Sequence, residues 1–239
     1  MFGLVLLLLF GLMIIAVALA EPEGVEGITV RDSERRTTTT GQNLTAQGGN
    51  ITRINITTRT QTLAWQGFAG NITGSIVLDD ASGDRFYSWT LLNVSGEIYA
   101  SRNGTFSFAT ILPHNNCTID EILTGTRADR VNRTYTASAN TVNFSVGTIV
   151  INSSSACRAW PFINSTVQTT TNLFENVILS IEGNNGSNTT VGGNQSIYAG
   201  ILQAAGTHGF DVQMYNFQLL VPVNRTSGFN TYFFYAELD

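Results

Sequence analysis

The sequence predicts an all-β fold, an antiparallel β-sandwich or jelly-roll-like domain of about a dozen short strands. Three observations predict it. Apolar residues recur at every second position over short runs, the period of a half-buried strand. Gly and Asn, both turn formers, separate these runs, and Gly alone occurs 23 times in 239 residues. No stretch after the first twenty residues keeps the 3.6-residue apolar period for three turns.

Along the chain, residues 1–20 come first, with eighteen of the twenty apolar and Gly3 and Gly11 the exceptions. The run ends Ala18-Leu19-Ala20 before Glu21-Pro22, a small-x-small pattern that suits signal-peptidase cleavage. No basic residue precedes it, and its length also suits a retained membrane anchor or pilin-like helix. Both readings place the remainder outside the cytoplasm. Residues 21–62 follow as an extended Thr- and Asn-rich segment, with Arg35-Arg36 and four consecutive Thr at 37–40. Too few large apolar residues lie here for a core, so the segment reads as a stalk, a linker or a strand given to another sheet. Its parts best able to pair are Gly27–Val30 and Ile54–Thr57. The β-domain spans 63–239, with strands expected at 63–69, 71–79, 85–92, 96–101, 105–110, 131–136, 141–151, 174–182, 196–202, 210–221 and 229–238. One helical turn is expected at 118–124, where Thr118 suits a cap and Asp120 and Glu121 suit a first turn.

Charge is scarce. Charged residues make up 12% of the chain, all 12 basic residues are Arg, and the net charge is −5. Neutralising phosphates takes clustered Lys and Arg, so no nucleic-acid partner is expected. An apolar fraction of 43% also sets the chain apart from a solvated disordered tail.

Of 22 Asn, 15 stand in Asn-x-Ser/Thr with x not Pro. They are Asn43, Asn50, Asn55, Asn71, Asn93, Asn103, Asn116, Asn132, Asn143, Asn152, Asn164, Asn185, Asn188, Asn194 and Asn224. Random pairing with Ser and Thr would give roughly 4 or 5, so the excess marks a chain shaped for N-glycosylation. Alternation supports the reading. Asn71, Thr73 and Ser75 oppose Ile72, Gly74, Ile76 and Leu78. Asn93, Ser95 and Glu97 oppose Val94 and Ile98, and Asn143 and Ser145 oppose Val142, Phe144 and Val146. Asn224 falls in a turn, and Asn185, Asn188 and Asn194 share a Gly-rich loop at 183–195. The odd spacing of Asn50 and Asn55 puts them on opposite faces of a regular strand, so that segment is bent or exposed on both sides.

Cys117 and Cys157, the two cysteines of the chain, form an even count suited to one disulfide in an oxidising compartment. Closing that loop of about 40 residues stabilises by about 3–4 kcal/mol on the chain-entropy model. Asp79, Asp80 and Asp84 fall in the loop Asp79-Asp80-Ala81-Ser82-Gly83-Asp84, which reads first as a hairpin turn. A Ca²⁺ site is the second reading, although the spacing is not that of an EF-hand. Aromatics cluster at Trp65–Phe68, Phe86–Trp89 and Tyr232–Tyr235; alternate aromatics in strands are expected in a core, a sugar-binding face being the alternative. No catalytic residues are assigned. His114 and His208 stand in no HExxH or GxSxG context, and pairs such as Asp120 with Glu121 or Glu97 with Asp211 arise by chance among 17 acidic residues. No cofactor is expected beyond covalent N-glycans.

Trp65-Gln66-Gly67-Phe68, Gly70-Asn71-Ile72-Thr73-Gly74, Leu78-Asp79-Asp80-Ala81-Ser82-Gly83, Trp89 and Gly96-Glu97-Ile98-Tyr99-Ala100 occur in that order. Gly209-Phe210-Asp211, Tyr215-Asn216-Phe217-Gln218, Val221-Pro222 and Tyr232-Phe233-Phe234-Tyr235-Ala236-Glu237-Leu238 follow. This order, over residues 63–239 and with a Cys pair, resembles a set of uncharacterised archaeal exported proteins. The resemblance implies an archaeal surface or secreted protein and carries no catalytic residue. The plan of leader, extended tail, β-domain and many sequons is also similar to archaeal surface filaments whose subunits exchange an N-terminal strand. The expectation is thus a non-enzymatic, N-glycosylated structural protein of the cell surface that self-associates into a filament or coat. A membrane-tethered adhesin or carbohydrate-binding domain is the alternative, and a secreted glycosidase the third reading. A membrane is expected as a partner only through a retained leader.

Overall fold

The computed structural model describes residues 21–37, 40–58, 65–91, 94–114, 122–123, 126–127, 135, 143–151, 156–159, 162–164, 166–167, 173–181, 196–204, 206–223 and 229–238. These form an all-β, antiparallel structure, as the alternation predicts. The strands are β1 (Glu23–Gly24), β2 (Trp65–Gly70), β3 (Ser75–Asp79), β4 (Arg85–Thr90), β5 (Gly96–Ser101), β6 (Leu112–Pro113), β7 (Ile122–Leu123), β8 (Thr126–Arg127), β9 (Phe144–Val146) and β10 (Ile149–Ile151). They continue as β11 (Arg158–Ala159), β12 (Phe162–Ile163), β13 (Thr166–Val167), β14 (Asn176–Ser180), β15 (Ser196–Ile201), β16 (Thr207–His208), β17 (Met214–Tyr215), β18 (Phe217–Pro222) and β19 (Phe233–Leu238).

A seven-stranded sheet organises the molecule, in the order β1-β19-β5-β15-β14-β11 with β6 also pairing β14. Its middle strands β5, β14 and β15 carry almost no exposed residue, so the expected in-out alternation gives way to burial on both faces. Two separate apolar clusters account for this. Ile98, Ala100, Ile178 and Tyr198 face one cluster, completed by Leu219 and Val221 of β18. Tyr99, Val177, Leu179, Ile197 and Ala199 face the other, completed by Phe144, Val146 and Ile151 of β9 and β10. Three layers therefore stack: the β2–β18 ribbon, the central sheet, and the β9–β10 ribbon.

Several expectations need correction. Glu97, placed on a wet face by alternation, is buried, because the face opposite Ile98 is also covered. The strand expected at 105–110 is instead one 3-10 turn at Phe108–Thr110, whose start is capped by the Ser107 hydroxyl accepting from the Ala109 N–H. At 118–124, Ile122–Leu123 is a strand paired with Thr126–Arg127 and no part of a helical turn. Within the run 141–151, Phe144–Val146 and Ile149–Ile151 form a hairpin turning at Gly147, whose φ of 54° is left-handed. Neither Gly27–Val30 nor Ile54–Thr57 joins a sheet; β1, just upstream, pairs Glu23 and Gly24 with Ala236 and Tyr235 of β19. Residues 27–37 and 40–58 otherwise belong to no described strand and are exposed, with a turn at 48–49. Among the described residues no helix is long and apolar enough to cross a membrane; the leader 1–20 lies outside them.

Candidate functional site

The sequon asparagines are the residues for which sequence and geometry most closely agree. Seven of the fifteen are described: Asn43, Asn50, Asn55, Asn71, Asn143 and Asn164 are exposed, and Asn103 is half-buried. Asn93, Asn116, Asn132, Asn152, Asn185, Asn188, Asn194 and Asn224 lie outside the described residues. The other described asparagines behave differently. Asn176 is buried, and Asn216 and Asn230 are half-buried. So no described Asn within a sequon is buried, and no described Asn outside one is fully exposed. A glycan attaches through the amide nitrogen and must leave the protein, which the six exposed sequon asparagines allow and the buried Asn176 does not.

Local geometry sharpens this for four positions. Asn71 follows β2, and its Oδ1 accepts from the Asn216 N–H at 3.1 Å, which fixes the amide through its oxygen. At Asn103, Oδ1 accepts from the Thr105 N–H at 3.0 Å and from the Thr105 hydroxyl at 3.4 Å. That is an Asx turn made within the sequon itself. Asn164 sits at φ 45° between β12 and β13, a left-handed turn that Asn tolerates. Asn143 enters β9 beside buried Phe144, on the outer side that alternation assigned to it. At Asn71–Leu78 the pattern holds only in part. Ile72 packs on the first cluster, but Ile76 and Leu78 are exposed because β3 belongs to an outlying hairpin with β4.

That hairpin also overturns the expected core role of its aromatics. Phe86 is 83% exposed, Tyr87 56% and Trp89 47%, and all six residues of β4 are exposed. Tyr87 and Trp89 stack with ring centroids 5.2 Å apart. Across the pair, Ile76 faces Trp89 and Leu78 faces Tyr87, forming one apolar surface. Trp65 is likewise exposed, whereas Phe68 packs edge-on against Phe234 at 5.1 Å and Tyr232 packs on the same cluster.

The acidic loop is the expected hairpin turn. Asp80 Oδ1 accepts from the N–H groups of Ser82 at 2.8 Å and Asp84 at 2.9 Å, and Asp79 pairs with Arg85 at 3.1 Å. Asp79 is also the main reason the Arg85 guanidinium is held above its usual pKa, with Glu26 adding to it. Among the described residues no three His, Cys, Asp or Glu side chains gather as a metal site.

The remaining candidates do not converge. His114 is buried beside β6, where its N–H donates to the Ile178 carbonyl at 3.0 Å. His208 lies in the outlying β16, with Nδ1 2.8 Å from the Val212 carbonyl oxygen. Asp211 is exposed and accepts from the Tyr215 hydroxyl at 2.8 Å, whereas Glu97 is buried in the central sheet. Asp120 and Glu121 lie outside the described residues. Cys157 is wholly buried and not free, its N–H donating to the His114 carbonyl at 2.6 Å; Cys117 lies outside the described residues.

Sequence reasoning missed one buried constellation. Glu237 of β19 lies directly opposite Glu97 of β5. Its carboxylate accepts from the Tyr99 hydroxyl at 3.0 Å and the Gly147 N–H at 2.7 Å, tying the central sheet to the β9–β10 turn. Nothing in a lone Glu near the end of the sequence signals this, since alternation reads it as a surface residue.

Comparison with protein-family models, curated proteins and solved structures finds no match.

Proposed function

We propose that this chain is a non-enzymatic, heavily N-glycosylated structural protein of the archaeal cell surface, a filament or coat subunit that assembles by β-strand addition from its N-terminal segment. One observation carries the reading. After β1, residues 27–37 and 40–58 join no described strand and are exposed, with Ile28, Val30, Leu44, Ile51, Ile54 and Ile56 all in water. Exposed backbone bearing apolar side chains and lacking a described strand partner is suited to complete another sheet. The exposure of the described sequon asparagines supports glycan cover on the rest of the surface. The order of motifs supports an archaeal exported protein, and the burial of Cys157 supports a Cys117–Cys157 disulfide.

Electron microscopy of the native surface and of a chain lacking residues 27–62 tests the reading. The full chain is expected to form ordered polymers, and the truncated chain, which keeps β1, to fold without assembling. Polymers from the truncated chain overturn the donor segment. Glycopeptide mass spectrometry completes the test, because fewer than about five occupied sites returns the sequons to chance. A second reading, a tethered adhesin or carbohydrate-binding domain, is favoured by the exposed Tyr87–Trp89 stack. It predicts monomers on the surface and binding of soluble glycans.

A further inference from the structure

We infer that the β3–β4 hairpin is the acceptor for assembly: the outer edge of β4 in one copy receives residues 27–36 of a second copy. The inference rests on the assembly reading above and gives it an address. In a chain with 15 sequons, none lies between Asn71 and Asn93, although this stretch includes one of the most exposed parts of the fold. A surface left without sugars and made of Ile76, Leu78, Tyr87 and Trp89 is one that protein covers.

The backbone of β4 is open on the matching side. The Leu91 N–H donates to the Gly74 carbonyl at 3.2 Å, making Gly74–Leu91 a hydrogen-bonded position. Alternation then makes Ile76–Trp89 and Leu78–Tyr87 bonded pairs, so Ser88 and Thr90 direct their N–H and C=O groups outward. No described strand lies there.

Residues 27–36 fit that edge. They contain no sequon, unlike 43–57, which carries Asn43, Asn50 and Asn55. Ile28 and Val30 share one strand face and Thr29 and Arg31 the other. Antiparallel to β4, with Ile28 beside Trp89 and Val30 beside Tyr87, the strand extends the apolar face by two side chains. Arg35 and Arg36 then come level with the Asp80–Asp84 turn. Charge agrees, since β3–β4 carries Asp79, Asp80 and Asp84 against Arg85, while 27–36 carries Arg31, Arg35 and Arg36 against Asp32 and Glu34.

Two full chains, purified with their glycans, test this. In the proposed register Thr29 lies opposite Ser88, so T29C and S88C chains are mixed under oxidising conditions. A disulfide between the two chains is the expected result. In parallel, S88P removes an outward N–H that the hairpin ladder does not use, and is expected to lower polymer yield at least tenfold with an unchanged melting midpoint. If wild type polymerises and S88P and W89D chains polymerise equally well, the hairpin is not the acceptor while the assembly reading stands. A link formed only within a diluted T29C/S88C chain overturns the exchange between copies. So does quenching of Trp89 by a soluble oligosaccharide with no cross-link, which assigns the face to sugar. A wild-type chain that forms no polymer overturns both the reading and this inference.

Discussion

The Asn176 side chain clasps the backbone of β18 at Leu220: its Oδ1 accepts the Leu220 N–H at 2.7 Å. Its Nδ2 donates to the carbonyls of Gln218 at 2.9 Å and Phe174 at 2.8 Å. One amide thereby joins the central sheet to the layer above it. Asn176→Ala leaves these partners buried without a bond, and is expected to cost about 2–4 kcal/mol. Urea denaturation followed by tryptophan fluorescence checks this. Glycopeptide mapping is expected to show Asn176 bare, since Ile178 stands where a sequon needs Ser or Thr.

Arg158 and Glu175 form a buried ion pair at 2.6 Å, with side chains 4% and 2% exposed. Arg158→Met strands a carboxylate in the interior and is expected to lower stability by about 3–5 kcal/mol. The double variant Arg158→Met/Glu175→Leu is expected to recover much of that loss, because no charge is then left unpaired. Thermal denaturation of the single and double variants decides it.

Tyr135 is fully buried, donates its hydroxyl to the Leu220 carbonyl, and is pushed well above the ordinary tyrosine pKa by desolvation. Below about pH 10 the phenol is neutral in both folded and unfolded chains, so its contribution is intact. Above about pH 10 the unfolded phenol ionises while the folded one does not, and stability falls until the folded group also titrates. Each pH unit in that window costs about 1.4 kcal/mol. Tyr135→Phe is expected to start less stable by about 1 kcal/mol and to lose stability less steeply between about pH 10 and 12. Melting curves across that range measure both effects.

Gly96 opens β5 at φ 110°, where a Cβ would lie 2.1 Å from the Glu237 carbonyl oxygen. Gly96→Ala forces β5 and β19 apart and is expected to cost more than about 2 kcal/mol. Gly83 also has a positive φ but faces open space, so Gly83→Ala carries backbone strain alone and serves as the comparison. A smaller loss at Gly96 than at Gly83 contradicts this account.

Much of the fold is legible where local chemistry decides it. The expected strand 96–101 coincides with β5, and the Asp-rich turn falls between β3 and β4. The expectations that failed depended on what lies above a strand, which period-two alternation does not encode. Glu97 and Tyr87 follow the same alternation, yet a second layer buries the first and nothing described covers the second. At Ile122–Leu123, capping signals suggested a helix, but pairing with Thr126–Arg127 prevailed. Of the seven described sequon asparagines six are exposed, as expected of side chains in turns and on outer strand faces.

The strand order of the central sheet sets a timetable for folding. Ser101 reaches Ser196 across 95 residues, and Tyr99 reaches Glu237 across 138. Strand β5 therefore leaves the ribosome long before either neighbour exists, with both edges unpaired and Ile98, Tyr99 and Ala100 uncovered. Contacts this distant are slow to form and leave a growing chain vulnerable to aggregation. Several described sequons, from Asn43 to Asn103, precede or closely follow β5. Sugars attached there would keep the unfinished chain in solution until its final strand closes the sheet.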